Sequence, residues 1–255
     1  MATRHYNILT PTEFGTMIVN RFDAAVSFNL STNGSWDRVA VQMLSEVVRA
    51  LYRANKNRSL VAADVGANLG AIAVPLGRAL EDRGVLHAFE PQRLIYYMLC
   101  GNVAVNSLEN VFCHRLAVSD QPGTIEIPRY RLDKVVNIGA YQLEHTSDTD
   151  FDGIVDGPPE KVDVVTLDSF GLDRLDVLKI DVEGMELKVL QGARQLIDRH
   201  QPVVLCEILK GPQDPLKDFF FSRGYRLFDY GDNKLALPRD RFRFDTAVPE
   251  ILPGT

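Results

Sequence analysis

A layered α/β fold with a mostly parallel sheet is predicted by three features of this 255-residue chain. Apolar runs of strand length alternate with helical periodicity over residues 60–118 and again from 176 to 223, the pattern of crossover connections packed on a parallel sheet. Four of the runs end in a carboxylate (Asp64, Glu90, Asp181 and Glu207), which aligns these acids along one edge of such a sheet. The last apolar segments flank a Gly-Asp-Asn turn, the signature of an antiparallel hairpin.

The elements follow in chain order. Residues 1–35 carry no clear period. Ser35 is expected to cap a helix over about 36–55, where Val39, Met43, Val47, Val48 and Leu51 recur at helical spacing. SLVAADVG reads as a strand, LGAIAVPLGRALEDRG as a helix stopped by Gly84, and VLHAFEP as a strand halted by Pro91. QRLIYYMLCGNVAVN is the next helix and NVFCHRLAVS the next strand. GTIEIP adds a short strand. Residues 129–161 then mix Gly, Pro, Asp and Thr without periodicity, the composition of a lid or binding loop. DVLKIDVEG, a helix over about 185–199, the strand PVVLCEI, a helix over about 213–223 and the hairpin YRLFDYGDNKLALP complete the chain. The expected organisation is a helical cap segment, 1–58, leading into residues 59–255, within one compact domain.

Composition removes several classes of function. A net charge of -6 with no basic cluster argues against a nucleic-acid partner. No apolar stretch is long enough to span a bilayer, and the first twenty residues lack the apolar run of a secretion signal. Cys100, Cys113 and Cys206 are widely spaced and form no metal-binding pattern, so they read as buried small residues of a reducing compartment. The expected location is cytoplasmic.

The turn in VAADVGANLG raises the functional question. Gly66 and Gly70 allow positive φ and close approach of a ligand to the backbone. Glu90 follows Gly70 by about twenty residues at the next strand end, where an acid accepts hydrogen bonds from both ribose hydroxyls of an adenosine ligand. A dinucleotide site requires G-x-G-x-x-G beneath its pyrophosphate. Here Asn68 replaces the central glycine, and Asp64 stands two residues ahead of Gly66, where it would repel phosphate and suit a cation. S-adenosylmethionine, with a sulfonium, an ammonium and no phosphate, meets that charge requirement.

With DVGANLG, HAFEP, LAVSD, VTLDSF, LKIDVEGMELKVLQGA and PVVLCEI in this order, the chain resembles the FkbM family of S-adenosylmethionine-dependent methyltransferases over about residues 60–209. The resemblance implies a Rossmann-like class I fold with a seven-stranded sheet, helices on both faces and an antiparallel last strand. It also implies that Asp64, Gly66, Asn68 and Gly70 surround the methionine part of the cofactor, with Ala67 in the same turn among the binding residues. Glu90 would hold the ribose, and Ala117, Val118 and Ser119 would lie near the adenine. Asn106 matches a family asparagine, and helix capping is its other reading.

KIDVEGME supplies the candidate catalytic residues. Asp181 ends a strand, and Glu183 and Glu186 open the following helix, where the helix dipole favours acids by about 0.3–1 kcal/mol each. That position lowers pKa, so these acids are suited to orienting a hydroxyl rather than deprotonating it. Together with Glu207 they could hold Mg²⁺, though no diagnostic spacing supports a metal. His145, in the long loop, is the other candidate base; His87 and His114 read as core. The acceptor class, a small-molecule or sugar hydroxyl, comes from the resemblance. Trp36, Tyr96, Tyr97, Tyr130 and Tyr141 are aromatics available to shape its pocket. Two competing readings are a nicotinamide-dependent oxidoreductase and a non-catalytic binding protein on the same sheet.

Overall fold

The computed structural model describes residues 5–135, 137, 155, 157–208, 213–240 and 248–252. The chain begins with an antiparallel hairpin, β1 (Asn7–Thr12) and β2 (Gly15–Asn20), followed by α1 (Val26–Asn33) and α2 (Arg38–Ala54). The early segment is therefore not purely helical as expected. The cap of α2 is Asp37 rather than Ser35, because the Asp37 carboxylate accepts from the Ala40 N–H at 3.0 Å.

The predicted alternation then appears as β3 (Leu60–Val65), α3 (Ala73–Leu80), β4 (Gly84–Phe89), α4 (Arg93–Val105) and β5 (Val111–His114). Gly84 opens β4 instead of ending α3. A Cβ there would lie 2.1 Å from the Leu60 carbonyl oxygen, so only glycine fits between the strands. The single strand expected from NVFCHRLAVS divides: β5 joins the main sheet, whereas β6 (Ala117–Val118) pairs with β8 (Glu160–Val165), which also pairs with β7 (Gly123–Ile127).

Beyond β9 (Val177–Ile180), the expected single helix is two, α5 (Glu186–Gly192) and α6 (Arg194–His200). They break where Gly192 passes the Ser119 carbonyl so closely that a Cβ would meet it at 2.0 Å. β10 (Val203–Glu207), α7 (Gln213–Phe221), the hairpin β11 (Tyr225–Tyr230) and β12 (Asn233–Pro238), and β13 (Glu250–Ile251) follow.

The main sheet runs β13-β11-β12-β10-β9-β3-β4-β5. β10 through β5 are parallel in that order, and β12 lies antiparallel to β10. The short edge strand β13 makes eight strands rather than the seven implied by the resemblance. β3 is buried on both faces: Ala62 packs with residues of α2, α3 and α4, and Ala63 and Val65 with those of α5, α6 and α7. This three-layer burial explains why the central strands are continuous apolar runs. The chain builds outward from β3 to β5 and then returns to β9 and β10 on the other side, so the order reverses between β3 and β9. Ligands of open α/β sheets bind outside the strand ends at such a reversal.

Candidate active site

The turn after β3 is built for close approach. Gly66 has φ +81°, and a Cβ on it would lie 1.7 Å from the Asp181 carbonyl oxygen. The end of β3 is thus pressed against the end of β9, and the Gly66 and Ala67 N–H groups both donate to the Phe89 carbonyl, at 3.0 and 2.9 Å. Asn68 explains the missing central glycine. Its φ of +51° is left-handed, a conformation asparagine tolerates better than other side-chain-bearing residues, and its Oδ1 accepts from the Leu69 N–H at 2.7 Å.

The same turn holds Glu90. Its Oε2 accepts from the Asn68 N–H at 3.0 Å and its Oε1 from the Gln92 N–H at 2.8 Å. Burial pushes the Glu90 carboxyl up to about 7, and the two N–H donors only partly oppose this. Each carboxylate oxygen retains a lone pair for a further donor.

Between these elements lies a cleft of about 550 Å³, within the size range of small-molecule sites. Gly66, Ala67, Asn68 and Glu90 form one wall, and Phe89, Ala117 and Val118 an apolar side. Lys179, Asp181, Glu183 and Glu207 add a charged stretch to the same lining, with Asp181 and Lys179 directly against the Gly66 turn. Trp36 and Asp37 from the N-terminal segment meet Tyr230, Asp232 and Asn233 from the hairpin, where Asn233 Nδ2 donates to Asp37 Oδ2 at 3.0 Å.

Strand register organises the charged wall. Asp64 and Lys179 are direct partners across β3 and β9, and Asp181 projects from the same face as Lys179. The Lys179 ammonium lies 3.4 Å from Asp64 Oδ1 and 3.2 Å from Asp181 Oδ2, and donates to the Gly66 carbonyl at 3.3 Å. Burial opposes its charge, but Asp181, Asp64 and Glu207 outweigh that and raise its pKa. Asp181 is opposed by burial too, yet Lys179 and a hydrogen bond with Glu207 keep its carboxyl low. Burial, then the hydrogen bond and charge of Asp181, push the Glu207 carboxyl up.

Several expected site residues stand elsewhere. Asp64 is fully buried and is not among the residues lining the cleft; its Oδ1 lies 3.4 Å from the Lys179 ammonium. Gly70 has φ +96° and faces Leu99, not the cleft. Asn106 caps α4: its Nδ2 donates to the Thr16 and Asn102 carbonyls at 2.8 Å, and its Oδ1 accepts from Arg78 at 3.0 Å. Ser119 lies outside this cleft, with its hydroxyl donating to Asp120 Oδ1 at 3.0 Å. His145 and Tyr141 fall outside the described residues. His87 and His114 contact each other at 3.1 Å and stack among Phe89, Phe112 and Phe170. Tyr96, Tyr97 and Tyr130 do not line the cleft, whereas Trp36 does. Glu186 turns back to accept from the Gly184 N–H at 2.8 Å, a local cap at the start of α5. Among the described residues, no cluster of three or more His, Cys, Asp or Glu side chains is arranged to hold a metal ion.

Lys179 was not among the residues singled out from the sequence. Its signal is present: it is the lone charge inside the apolar strand VLKI, two residues before Asp181. Glu207 reads from the sequence as a strand-end carboxylate and possible metal ligand; its hydrogen bond to Asp181 depends on the pairing of β9 with β10.

The doubly wound sheet, with a cleft at its reversal point, has the class I methyltransferase fold. The FkbM methyltransferase domain matches residues 64–227, and the chain belongs to that family. A curated relative, methyltransferase sdnD of Sordaria araneosa, is 28% identical over 161 residues, covering 51% of this chain and 58% of the relative. The chain thus spans less than two thirds of that relative's length. The crystal structure of the FkbM methyltransferase from Methylobacillus flagellatus KT is similar with a TM-score of 0.49 at 21% identity, over 74% of this chain and 47% of that one. M. jannaschii TYW2, solved with AdoMet, is similar with a TM-score of 0.47 at 13% identity, over 92% of this chain and 85% of the other.

Proposed function

We propose that the protein transfers a methyl group from S-adenosylmethionine to a hydroxyl of a small molecule or sugar. The observation that carries this reading is Glu90, fixed by the Asn68 and Gln92 N–H groups at a strand end beside the Gly66 turn. Its remaining lone pairs suit two adjacent ribose hydroxyls. The apolar side at Phe89, Ala117 and Val118 suits an adenine. Asp181 and Glu183, which line the same cleft, would repel a pyrophosphate, which disfavours a nicotinamide dinucleotide.

When bound, the donor supplies a methyl group already activated by its positive sulfur. The protein's task is therefore alignment, which in oriented reactions is worth up to about 7–11 kcal/mol. The acceptor enters on the side of Trp36, Tyr230 and Asp232. Asp181, kept ionised by Lys179 and Glu207, accepts a hydrogen bond from the acceptor hydroxyl and takes its proton late, once the forming ether oxygen has become strongly acidic. No strong base is needed for that order of events.

Calorimetric titration with S-adenosylmethionine, S-adenosylhomocysteine and NAD tests the donor, with micromolar binding expected for the first two alone. Binding of NAD but neither sulfur ligand refutes the reading. Release of S-adenosylhomocysteine in the presence of hydroxyl acceptors, compared with amine acceptors, tests the target atom.

A further inference from the structure

Among the described residues lining the cleft, Lys179 is the one cation. Its side chain is 7% exposed, and its ammonium has three donors and three partners: Gly66 O, Asp181 Oδ2 and Asp64 Oδ1. Two of these partners, Gly66 and Asp181, line the cleft from different strands, and the third is buried and does not line it. The junction between those strands is made a second time by the backbone, where the absent Cβ of Gly66 lets the turn lie against the Asp181 carbonyl.

We propose that Lys179 is a positioning residue: it ties the Gly66 turn that cradles the donor to the Asp181 carboxylate that faces the acceptor. This rests on the donor reading above. A lysine serving only to neutralise Asp64 would have no need of the Gly66 carbonyl, yet its ammonium is as close to that oxygen as to Asp64. Without it, the carbonyl loses its charged donor, and the turn loses the side-chain tie that complements its backbone contacts. Asp181, left beside Glu207 alone, would no longer be held at one end by a cation.

The test separates neutralisation from positioning. Lys179→Met leaves Asp64 buried without its counter-ion, so a loss of thermal stability is expected whatever the lysine does. The double variant Asp64→Leu with Lys179→Met removes both charges at nearly constant shape, an exchange that in other buried pairs is often neutral or stabilising. Positioning predicts that the double variant recovers most of the lost melting temperature, while S-adenosylhomocysteine still binds about tenfold or more weakly by calorimetry, the scale of a charge-assisted hydrogen bond. Recovery of both stability and affinity, to within about twofold of the unmodified protein, assigns Lys179 to neutralisation alone and overturns the proposal. If the unmodified, folded protein binds no S-adenosylhomocysteine, the donor reading itself falls, and the role of Lys179 falls with it.

Discussion

If Glu90 holds the donor as proposed, donor affinity is expected to depend on pH. In the ligand-free protein both carboxylate oxygens already accept a backbone N–H, and burial holds the group near 7 instead of its ordinary 4.5. A proton added to either oxygen occupies the lone pair that a ribose hydroxyl would use, so at least one charge-assisted hydrogen bond to the ligand is lost. Such a bond contributes about 1.5–3 kcal/mol, or roughly one to two decades of affinity. S-adenosylhomocysteine is therefore expected to bind most tightly above pH 8, and to weaken by roughly half to one decade per pH unit below 7. It should level off roughly ten- to hundredfold weaker near pH 5. The free protein should show the opposite trend. With the folded value above the unfolded one, the contribution of Glu90 to stability is full below about 4.5 and is lost as pH rises towards 7. At about 1.4 kcal/mol per pH unit, that loss is on the order of 3 kcal/mol. Calorimetric titration from pH 5 to 8.5 measures the first effect, and denaturant unfolding of the free protein the second. In Glu90→Gln, affinity should stay at the low plateau at every pH. An unmodified protein whose affinity is flat from pH 5.5 to 8, or a Glu90→Gln variant that keeps the slope, refutes the reasoning.

Further outcomes follow from particular contacts. Gly66→Ala combines a positive φ with a contact to the Asp181 carbonyl that no rotation of the new methyl relieves. A stability loss of at least about 2 kcal/mol is expected, read as a fall of roughly 4–8 °C in melting temperature. Asn106→Ala strips the Thr16 and Asn102 carbonyls and Arg78 of a shared partner. It should cost about 1–3 kcal/mol, with faster amide exchange concentrated in β2. Asp181→Asn should lower turnover more than it lowers donor affinity, because the residue is assigned to the acceptor side; equal losses in both would move it to the donor site. A chelator should leave S-adenosylhomocysteine affinity unchanged in titration, and a loss restored by added Mg²⁺ would reopen the metal reading of Asp181 and Glu207.

The sheet was legible because its signals are local. Largely apolar runs between helical periods identify strands buried on both faces, and β3, β9 and β10 are buried along nearly their whole length. The Gly-Asp-Asn turn likewise announced β11 and β12. The misreadings occur where a contact between distant segments overrides a local rule. NVFCHRLAVS has no breaker at Arg115 or Leu116, yet its second half pairs with β8 instead of continuing along β4. The helix over 185–199 breaks because the Ser119 backbone passes Gly192. The cap moves from Ser35 to Asp37, which bonds both the Ala40 N–H and Asn233 from the far end of the chain.

Asp64 shows the same limit in the site itself. A carboxylate at the end of an apolar strand, just ahead of a glycine turn, reads as a charge offered to a cationic ligand. Register decides otherwise: β3 pairs with β9 so that Asp64 faces Lys179, and its charge is compensated inside the protein. The preference for a positive ligand then has to come from the groups that do line the cleft. Among the described residues these are Asp181, Glu183, Asp37, Asp232 and, when ionised, Glu90, set against the ammonium of Lys179. On the donor reading proposed above, the attraction to positive charge comes from the enclosing wall and not from one strand end. For the same reason, neutralising Asp64 should act on the fold through Lys179, whereas neutralising Glu90 acts on the ligand directly. Comparing unfolding free energy with donor affinity for those two changes separates the roles, and Asp64→Asn weakening affinity with no change in stability would return Asp64 to the cleft.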